Sequence, residues 1–266
     1  MKDEEVSAPT VPGQWRRRAL IAGGVATGVA LAIVGPRWLR KQLTGSLEFE
    51  DLREPMGFRR VTVGEVSRNM LLALQPTHPG VSPDTSALLR PNLCEALFGV
   101  TAIPMGVVPV ASFSDYNCPY CRILTAEVAR IEADSNGAIR VSWHEWPIFG
   151  PNSETAARAA YAAGLQDAYL PVHRRLMRSG FAPTPEYLTD VAVDAGIDPV
   201  RLLADMESPV VAAALDTSRE LAGLFGFPGT PALVVGRTVV VGNVERGMLL
   251  KLIDLERREG SPPGCE

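Results

Sequence analysis

Apolar runs of strand length alternate with segments of helical periodicity from residue 107 onward. Val107 to Phe113 is rich in β-branched residues, and Ala138 to Trp146 is a second such run. Between them, the segment 122–133 places its apolar side chains on one helical face. Two shorter runs, 232–236 and 238–242, are joined by a Gly-Arg turn. This order predicts an α/β domain.

Five helical segments are predicted between the second and third strands. Ser153 is predicted to cap an Ala-rich helix that ends near Gly164, and the segment 166–178 to form a helix interrupted or kinked at Pro171. A last helix, 244–258, is predicted to pack on the sheet. The other three helices each begin with a capping residue followed by proline: Thr184-Pro185, Asp198-Pro199 and Ser208-Pro209.

The N-terminal segment 19–36 has a different pattern, because its eighteen residues carry no charge. At about 1.5 Å per residue it spans about 27 Å, close to the bilayer core of about 30 Å. Arg16 to Arg18 precede it, and Trp15 and Trp38 flank it at interfacial positions. We expect an uncleaved signal anchor with residues 1–18 as a cytoplasmic tail. A twin-arginine-type signal is the alternative.

Charge supports this division of the chain. Residues 1–44 carry seven basic and three acidic side chains, a net of +4, against nineteen and twenty-seven in the remainder, a net of −8. The acidic remainder has no basic stripe, so nucleic acid is not expected as a partner. Both export hypotheses place it outside the cytoplasm. We expect residues 37–104 to be a linker and N-terminal extension, and 259–266 a C-terminal tail.

The motif Cys118-Pro119-Tyr120-Cys121 lies where the first predicted strand gives way to a helix. Pro119 fits the first helical position, so Cys118 is predicted to be the N-cap and Cys121 the N3 residue. The helix N-terminus would stabilise a thiolate on Cys118, and the thiolate is the form that attacks disulfides. The pattern predicts a redox dithiol with Cys118 as the exposed nucleophile and Cys121 as the buried resolving thiol.

A structural zinc site is the alternative for a Cys-x-x-Cys motif, but it needs four ligands. The remaining cysteines and histidines form no second close pair, so no metal is expected. Cys94 and Cys265 are predicted to form a structural disulfide, because two further cysteines in an oxidising compartment are usually paired. The alternative is that Cys265 is a free thiol.

Three segments together resemble the DsbA-like thioredoxin-fold disulfide oxidoreductases. They are the redox motif within 113–122, the segment 146–153 that leads into an Ala-rich helix, and the Gly-Thr-Pro segment 229–235. The resemblance covers about residues 105–258. It implies a thioredoxin fold with an inserted all-helical subdomain at about 153–225.

The resemblance also implies that the Thr230-Pro231 bond is cis and faces the redox pair. The backbone there would hold an extended substrate chain, and Tyr120 would lie on the rim of the site. Asp115 and Glu145 are the nearest candidates for a buried proton carrier. No cofactor is implied.

The function predicted is the introduction of disulfides into exported proteins with free thiols, with a membrane redox partner that reoxidises the dithiol. The Pro-Tyr pair between the cysteines departs from the Pro-His of DsbA itself. An isomerase or reductase of the same fold is therefore the first alternative. The second is a non-catalytic anchored chaperone or binding module that uses the Thr-Pro groove to hold unfolded chains.

Overall fold

The computed structural model describes residues 48–62, 90–180 and 182–266. Within these residues six strands form one sheet in the order β1-β2-β6-β5-β3-β4. The strands are β1 (Glu50–Asp51), β2 (Arg59–Thr62), β3 (Val108–Ser114), β4 (Ile139–Glu145), β5 (Ala232–Val235) and β6 (Thr238–Val241). The helices are α1 (Leu93–Phe98), α2 (Pro119–Asp134), α3 (Pro151–Gly164), α4 (Tyr169–Met177), α5 (Pro185–Asp194), α6 (Pro199–Asp205), α7 (Pro209–Leu224) and α8 (Arg246–Glu259).

Strand β3 lies inside the sheet, next to the edge strand β4. It pairs in parallel with β4 and antiparallel with β5, and β5 continues antiparallel into β6. Every residue of β3 is buried, which accounts for its predominantly apolar sequence. The four strands predicted from the apolar pattern are confirmed, and α8 contacts β3 and β5 as predicted for the last helix. Strand β2 adds to the far side of β6 in parallel.

Helices α3 to α7 follow β4 and precede β5, so five helices interrupt the sheet as predicted. The side chains of Thr184, Asp198 and Ser208 accept hydrogen bonds from the first turns of α5, α6 and α7, which confirms these three caps. The predicted cap at Ser153 is wrong, because α3 begins two residues earlier, after Gly150. The predicted break at Pro171 is also wrong. It lies in the first turn of α4, where proline is tolerated.

Two buried clusters of side chains hold the fold together. The first joins the start of α2 to the inserted helices and contains both Cys118 and Cys121. The second lies under α1 and α7 and is rich in aromatic rings, including the stacked pair Phe225 and Phe227. Burial of this much apolar side-chain surface is the main favourable contribution to folding. The redox motif is thus packed into the boundary between the sheet and the helical insertion.

The predicted tail 1–18 and the predicted anchor or signal segment 19–36 lie outside the described residues, as does most of the extension before residue 90. In the part of the chain that the structure covers, we find no helix with the length and apolar character needed to cross a bilayer.

Candidate active site

The first cysteine of the redox motif lies at the start of helix α2. Cys118 has extended backbone angles (φ −84°, ψ 116°), and Pro119 occupies the first helical position, where no N–H is required. The backbone N–H of Cys121 donates a hydrogen bond to Sγ of Cys118 at 3.2 Å. This bond and the positive end of the helix dipole both stabilise negative charge on the Cys118 sulfur.

The Thr230-Pro231 segment reaches the same sulfur from a distant part of the chain. Its peptide bond is cis, and β5 begins at the next residue. Sγ of Cys118 lies 3.6 Å from the carbonyl oxygen of Thr230, to which it donates a hydrogen bond. The antiparallel pairing of β3 with β5, which places Phe113 opposite Ala232, brings the two segments together.

The prediction that Cys118 is exposed is wrong for this structure. Both cysteines are in the thiol form, and both have 0% of their surface exposed. The backbone of Thr230 lies against the Cys118 sulfur, and side chains of the inserted helices belong to the same buried cluster. Between the cysteines, Pro119 is exposed and Tyr120 is half-buried, so the motif reaches the surface through its two central residues.

The environment of the second cysteine keeps its sulfur protonated. Burial raises the pKa of the Cys121 thiol well above its usual value, and the hydrogen bond and charge of Cys118 raise it further. A backbone hydrogen bond at Asp115 and one from the Thr230 side chain oppose this rise. The two sulfurs therefore differ: the N–H of Cys121 and the helix N-terminus favour negative charge on Cys118, whereas burial favours the protonated thiol of Cys121.

The carboxylate of Asp115 holds the loop that carries the cysteines. One oxygen accepts from the N–H of Asn117 at 2.7 Å and from the hydroxyl of Ser153 at 2.7 Å. The other accepts from the N–H groups of Ile148 and Phe149 at 2.6 and 3.0 Å. Burial nevertheless raises the pKa of this carboxyl, since the four hydrogen bonds offset desolvation only in part. Asp115 thus ties the redox loop to the start of α3.

Glu145 is fully buried at the end of β4 and is the centre of a polar cluster. Its Oε1 accepts from the hydroxyl of Tyr116 at 2.6 Å and from that of Tyr169, and it lies 3.0 Å from Nδ1 of His173. Burial, followed by the charge of Glu145, raises the pKa of both tyrosines well above the usual value. The second oxygen, Oε2, is buried with no hydrogen-bond partner among the described residues.

The chain matches the model of one protein family. Residues 109–254 match the family model of the DSBA-like thioredoxin domain. The chain belongs to this family. The matched range includes both cysteines of the redox motif, the helical insertion and the cis Thr-Pro segment.

Several solved structures resemble this DSBA-like chain. A thioredoxin-like oxidoreductase from Silicibacter pomeroyi DSS-3 is 39% identical, with a TM-score of 0.56, and the match covers 62% of this chain and 97% of that one. A periplasmic thioredoxin-like protein from Salmonella enterica serovar Typhimurium is 27% identical, with a TM-score of 0.54, over 63% of this chain and 97% of that one. The thiol-disulfide exchange protein α-DsbA2 from Wolbachia pipientis, at 22% identity, a TM-score of 0.55 and coverage of 62% and 97%, supports the fold alone.

The chain also matches part of a longer curated relative. The chain is 25% identical over 149 residues to the Na(+)/H(+) antiporter NhaA of Herminiimonas arsenicoxydans. This match takes in 56% of the present chain but only 24% of the antiporter, so the similarity concerns about a quarter of that protein.

The other two cysteines of this DSBA-like protein form a disulfide. Cys94, in α1, is bonded to Cys265, with 5.2 Å between their Cα atoms. The backbone N–H of Ile103 also donates to the carbonyl of Cys265 at 3.0 Å. The bond fastens the last residues of the chain to the second buried cluster, away from the redox motif in sequence.

Sequence reasoning missed the partners of Glu145. Tyr116, Tyr169 and His173 are 24 to 29 residues away from it along the chain, and no local pattern joins them to it. One signal was present, because Tyr169 and His173 are four residues apart and therefore share a face of α4. A tyrosine and a histidine on the buried face of a helix would have indicated a polar partner inside.

Proposed function

We propose that this DSBA-like protein is an extracytoplasmic oxidase that introduces disulfides into exported proteins through Cys118 and Cys121. The observation that carries the proposal is the position of Sγ of Cys118, which accepts the N–H of Cys121 and lies 3.6 Å from the carbonyl of Thr230. A sulfur in this position is a good leaving group, and the backbone beside it can hold an extended substrate.

The cycle begins with a Cys118–Cys121 disulfide. A thiolate of the substrate attacks Sγ of Cys118, which forms a mixed disulfide and breaks the internal one. The electron pair of the broken bond stays on the sulfur of Cys121. That sulfur takes up a proton, because burial raises the pKa of the Cys121 thiol. Protonation prevents Cys121 from attacking back.

A second substrate thiolate then attacks the substrate sulfur of the mixed disulfide. The new bond is the substrate's disulfide, and Cys118 leaves as a thiolate stabilised by the start of α2. The substrate has lost two electrons, and the protein holds them as a dithiol. A membrane redox partner that accepts two electrons and two protons would restore the starting state.

Substrate binding requires the site to open, because Cys118 has no exposed surface in the dithiol structure. The extended backbone at Thr230-Pro231 would form β-type hydrogen bonds with the substrate chain. Tyr120, half-buried beside exposed Pro119, would form the rim against which the substrate lies. Movement of the inserted helices relative to the start of α2 would expose the sulfur.

We assign the proton carrier to Glu145 in preference to Asp115. Four donors already bind the carboxylate oxygens of Asp115. In Glu145, Oε2 has no hydrogen-bond partner within the described part of the chain. Tyr116, which donates to Glu145, shares a buried cluster with Cys118 and Cys121.

The proposed compartment agrees with the second cysteine pair, since disulfides persist in oxidising environments. We further propose that segment 19–36 anchors the chain in the cytoplasmic membrane with residues 1–18 inside. The full-length protein should then sediment with membranes, and protease added to spheroplasts should digest the redox domain. Protection of that domain together with cytoplasmic marker proteins would contradict the orientation.

The experiment that tests the oxidase proposal is a redox titration of the Cys118–Cys121 pair in glutathione buffers. An oxidase should have a potential between those of DsbA, about −120 mV, and protein disulfide isomerase, about −180 mV. Refolding of reduced ribonuclease should proceed with the oxidised protein and stop with Cys118→Ser. A Cys94→Ser variant is the matched control and should retain this activity.

Two results would contradict the proposal. A potential near that of thioredoxin, about −270 mV, would identify a reductase. Absence of turnover in both ribonuclease refolding and insulin reduction, with unfolded chains still held by Cys118→Ser, would identify a binding module.

A further inference from the structure

A cavity of about 260 Å³ lies between the redox helix α2 and helix α4. Its floor is buried and mostly apolar, formed by Thr125, Ala129 and Met177 together with the ring of His173. Four exposed arginines surround it: Arg122 and Arg130 on α2, Arg174 on α4 and Arg178 at its end. The proposed disulfide chemistry does not use this cavity.

The positive charge around the cavity is only partly neutralised. Arg130 pairs with Glu127 at 3.2 Å, and Arg122 donates to the carbonyl of Ser179 at 2.9 Å. Arg174 and Arg178 form no ion pair within 4 Å with any described residue, and no acidic residue lines the cavity. In a chain of net charge −4, this concentration of guanidinium groups favours binding of an anion.

The carboxylate of Glu132, near the cavity, already accepts a hydrogen bond from another part of the chain. Glu132, whose charge acts on Arg174, accepts a hydrogen bond from the backbone N–H of Val141 at 2.7 Å. It is not among the residues that line the cavity. Glu132 therefore does not fill the anion position that the arginines create.

His173 supplies a second, independent observation. Its side chain is 2% exposed and its Nδ1 is turned to Glu145. Nε2, on the opposite edge of the ring, is buried and has no hydrogen-bond partner in the described structure. An unpaired buried nitrogen is costly unless a ligand or water completes it. His173 also lines the cavity, where a water or a hydroxyl of a bound ligand can supply that partner.

We infer that the cavity binds a small organic anion, with one carboxylate or phosphate group on a short apolar body. Guanidinium groups bind both oxyanions through paired hydrogen bonds. The alanine and methionine floor would accept the apolar body. The volume lies just below the usual range for ligand sites, about 300–1,000 Å³, so the ligand is small.

The site is adjacent to the redox pair. Arg122 follows Cys121 directly, and the hydroxyl of Thr125, on the cavity floor, donates to the carbonyl of Cys121 at 2.7 Å. Binding does not depend on thiol chemistry, however, so it can be measured on protein without a nucleophile.

The test is calorimetric titration of the full-length protein with hexanoate, hexyl phosphate, inorganic phosphate and hexanol. We expect saturable binding of hexanoate or hexyl phosphate, weaker binding of phosphate, and none of hexanol. Arg174→Gln combined with Arg178→Gln should weaken binding by about tenfold or more. Arg257→Gln combined with Arg258→Gln, an equal change of charge at exposed positions on α8, should leave it unchanged. Cys118→Ser should also bind normally.

A further variant tests the apolar lining of the cavity. Ala126→Leu, at an exposed position that lines the cavity, should weaken hexanoate more than inorganic phosphate. Absence of saturable binding at millimolar concentration, or equal losses in the control with Arg257→Gln and Arg258→Gln, would overturn the inference. So would binding to anionic lipid vesicles that requires Arg174 and Arg178 when none of the soluble acids binds. Circular dichroism confirms that each variant is folded.

Discussion

The two pairs of cysteines in this chain have opposite surroundings. Cys118 and Cys121 are three residues apart at the start of a helix, and both are in the thiol form in this structure. Cys94 and Cys265 are 171 residues apart and are bonded to each other. The first pair has a helix N-terminus and a polar cluster nearby, whereas the second lies among apolar and aromatic side chains. A sulfur pair is made reactive or inert by its neighbours.

The two cysteine pairs also differ in the length of the loop that a disulfide between them closes. A bond that closes a loop of 171 residues removes much of the freedom of the unfolded chain, worth about 5 kcal/mol in the chain-entropy model. The ring closed by the redox pair has only four residues, for which the same relation gives about 2 kcal/mol. The short bond can therefore be made and broken in each cycle, while the long one supports the fold.

The largest expected difference between the two pairs is in redox activity, measured with one substitution in each pair. Cys118→Ser should abolish turnover in reduced-ribonuclease refolding, because no other thiolate lies at the helix N-terminus. Cys94→Ser should leave turnover within about twofold when assayed well below its unfolding temperature. If the Cys94→Ser protein lost activity while still folded, the separation between the pairs would be untenable.

The next effect concerns stability. Cys94→Ser with Cys265→Ser should lower the free energy of unfolding by about 3–5 kcal/mol in urea. Both sulfurs are nearly fully buried, so loss of packing adds to the entropic effect. Cys118→Ser serves as the comparison and should change stability by about 1 kcal/mol or less. Equal losses in the two proteins would show that the long bond has no special structural part.

A smaller effect depends on pH and belongs to the region of the long disulfide. His144 is buried, with Nε2 2.9 Å from the carbonyl of Leu97 in α1 and its ring stacked on Phe113. Burial lowers its pKa from 6.5 to about 4. The unfolded chain then binds the proton more tightly than the folded protein. Stability is therefore complete above about pH 6.5 and falls as the pH drops towards 4.

Between pH 7.5 and 4.5 this histidine should account for about 2–3 kcal/mol of lost stability. Urea unfolding at both pH values would measure the loss. His144→Gln should remove that part of the pH dependence, whereas dithiol activity at pH 7.5 should change little. An unaltered slope in the His144→Gln protein would mean that other groups cause the acid sensitivity.

The smallest effect concerns the proton taken up by the resolving sulfur. Glu145→Gln keeps the size of the side chain but removes its charge. Reaction of the oxidised protein with glutathione should slow by about tenfold, and its dependence on pH should flatten. Glu186→Gln, at an exposed position on α5, is the control for a lost carboxylate. A normal rate in Glu145→Gln would leave the glutamate with a packing role only.

The sequence predicted those parts of the molecule whose signals are local. The apolar run of β3, the proline after Cys118 and the caps before Pro185, Pro199 and Pro209 each depend on a few adjacent residues. The start of α3 was missed although Pro151 fits the same rule, because Gly150 stands where α5, α6 and α7 have a polar cap. Local rules fail where a capping residue departs from the common set.

The coverage of the active site could not be predicted in this way. The 0% exposure of Cys118 results from packing against a carbonyl 112 residues away and against inserted helices. The cluster around Glu145 likewise joins a strand end to α4. A one-dimensional pattern indicates which side chains are apolar but not which distant segments meet. Tertiary packing therefore decides exposure, hydrogen-bond partners and the raised pKa of the Cys121 thiol.

The place of β3 between β4 and β5 has a consequence for how such a protein can diversify. The helical insertion leaves the sheet at the end of β4 and returns at the start of β5, and both ends are held by a strand outside it. The helices between the end of β4 and the start of β5 could be lengthened or exchanged without changing the position of Cys118 relative to Thr230. Related proteins with different inserted helices could therefore accept different substrate chains and keep the same sulfur chemistry.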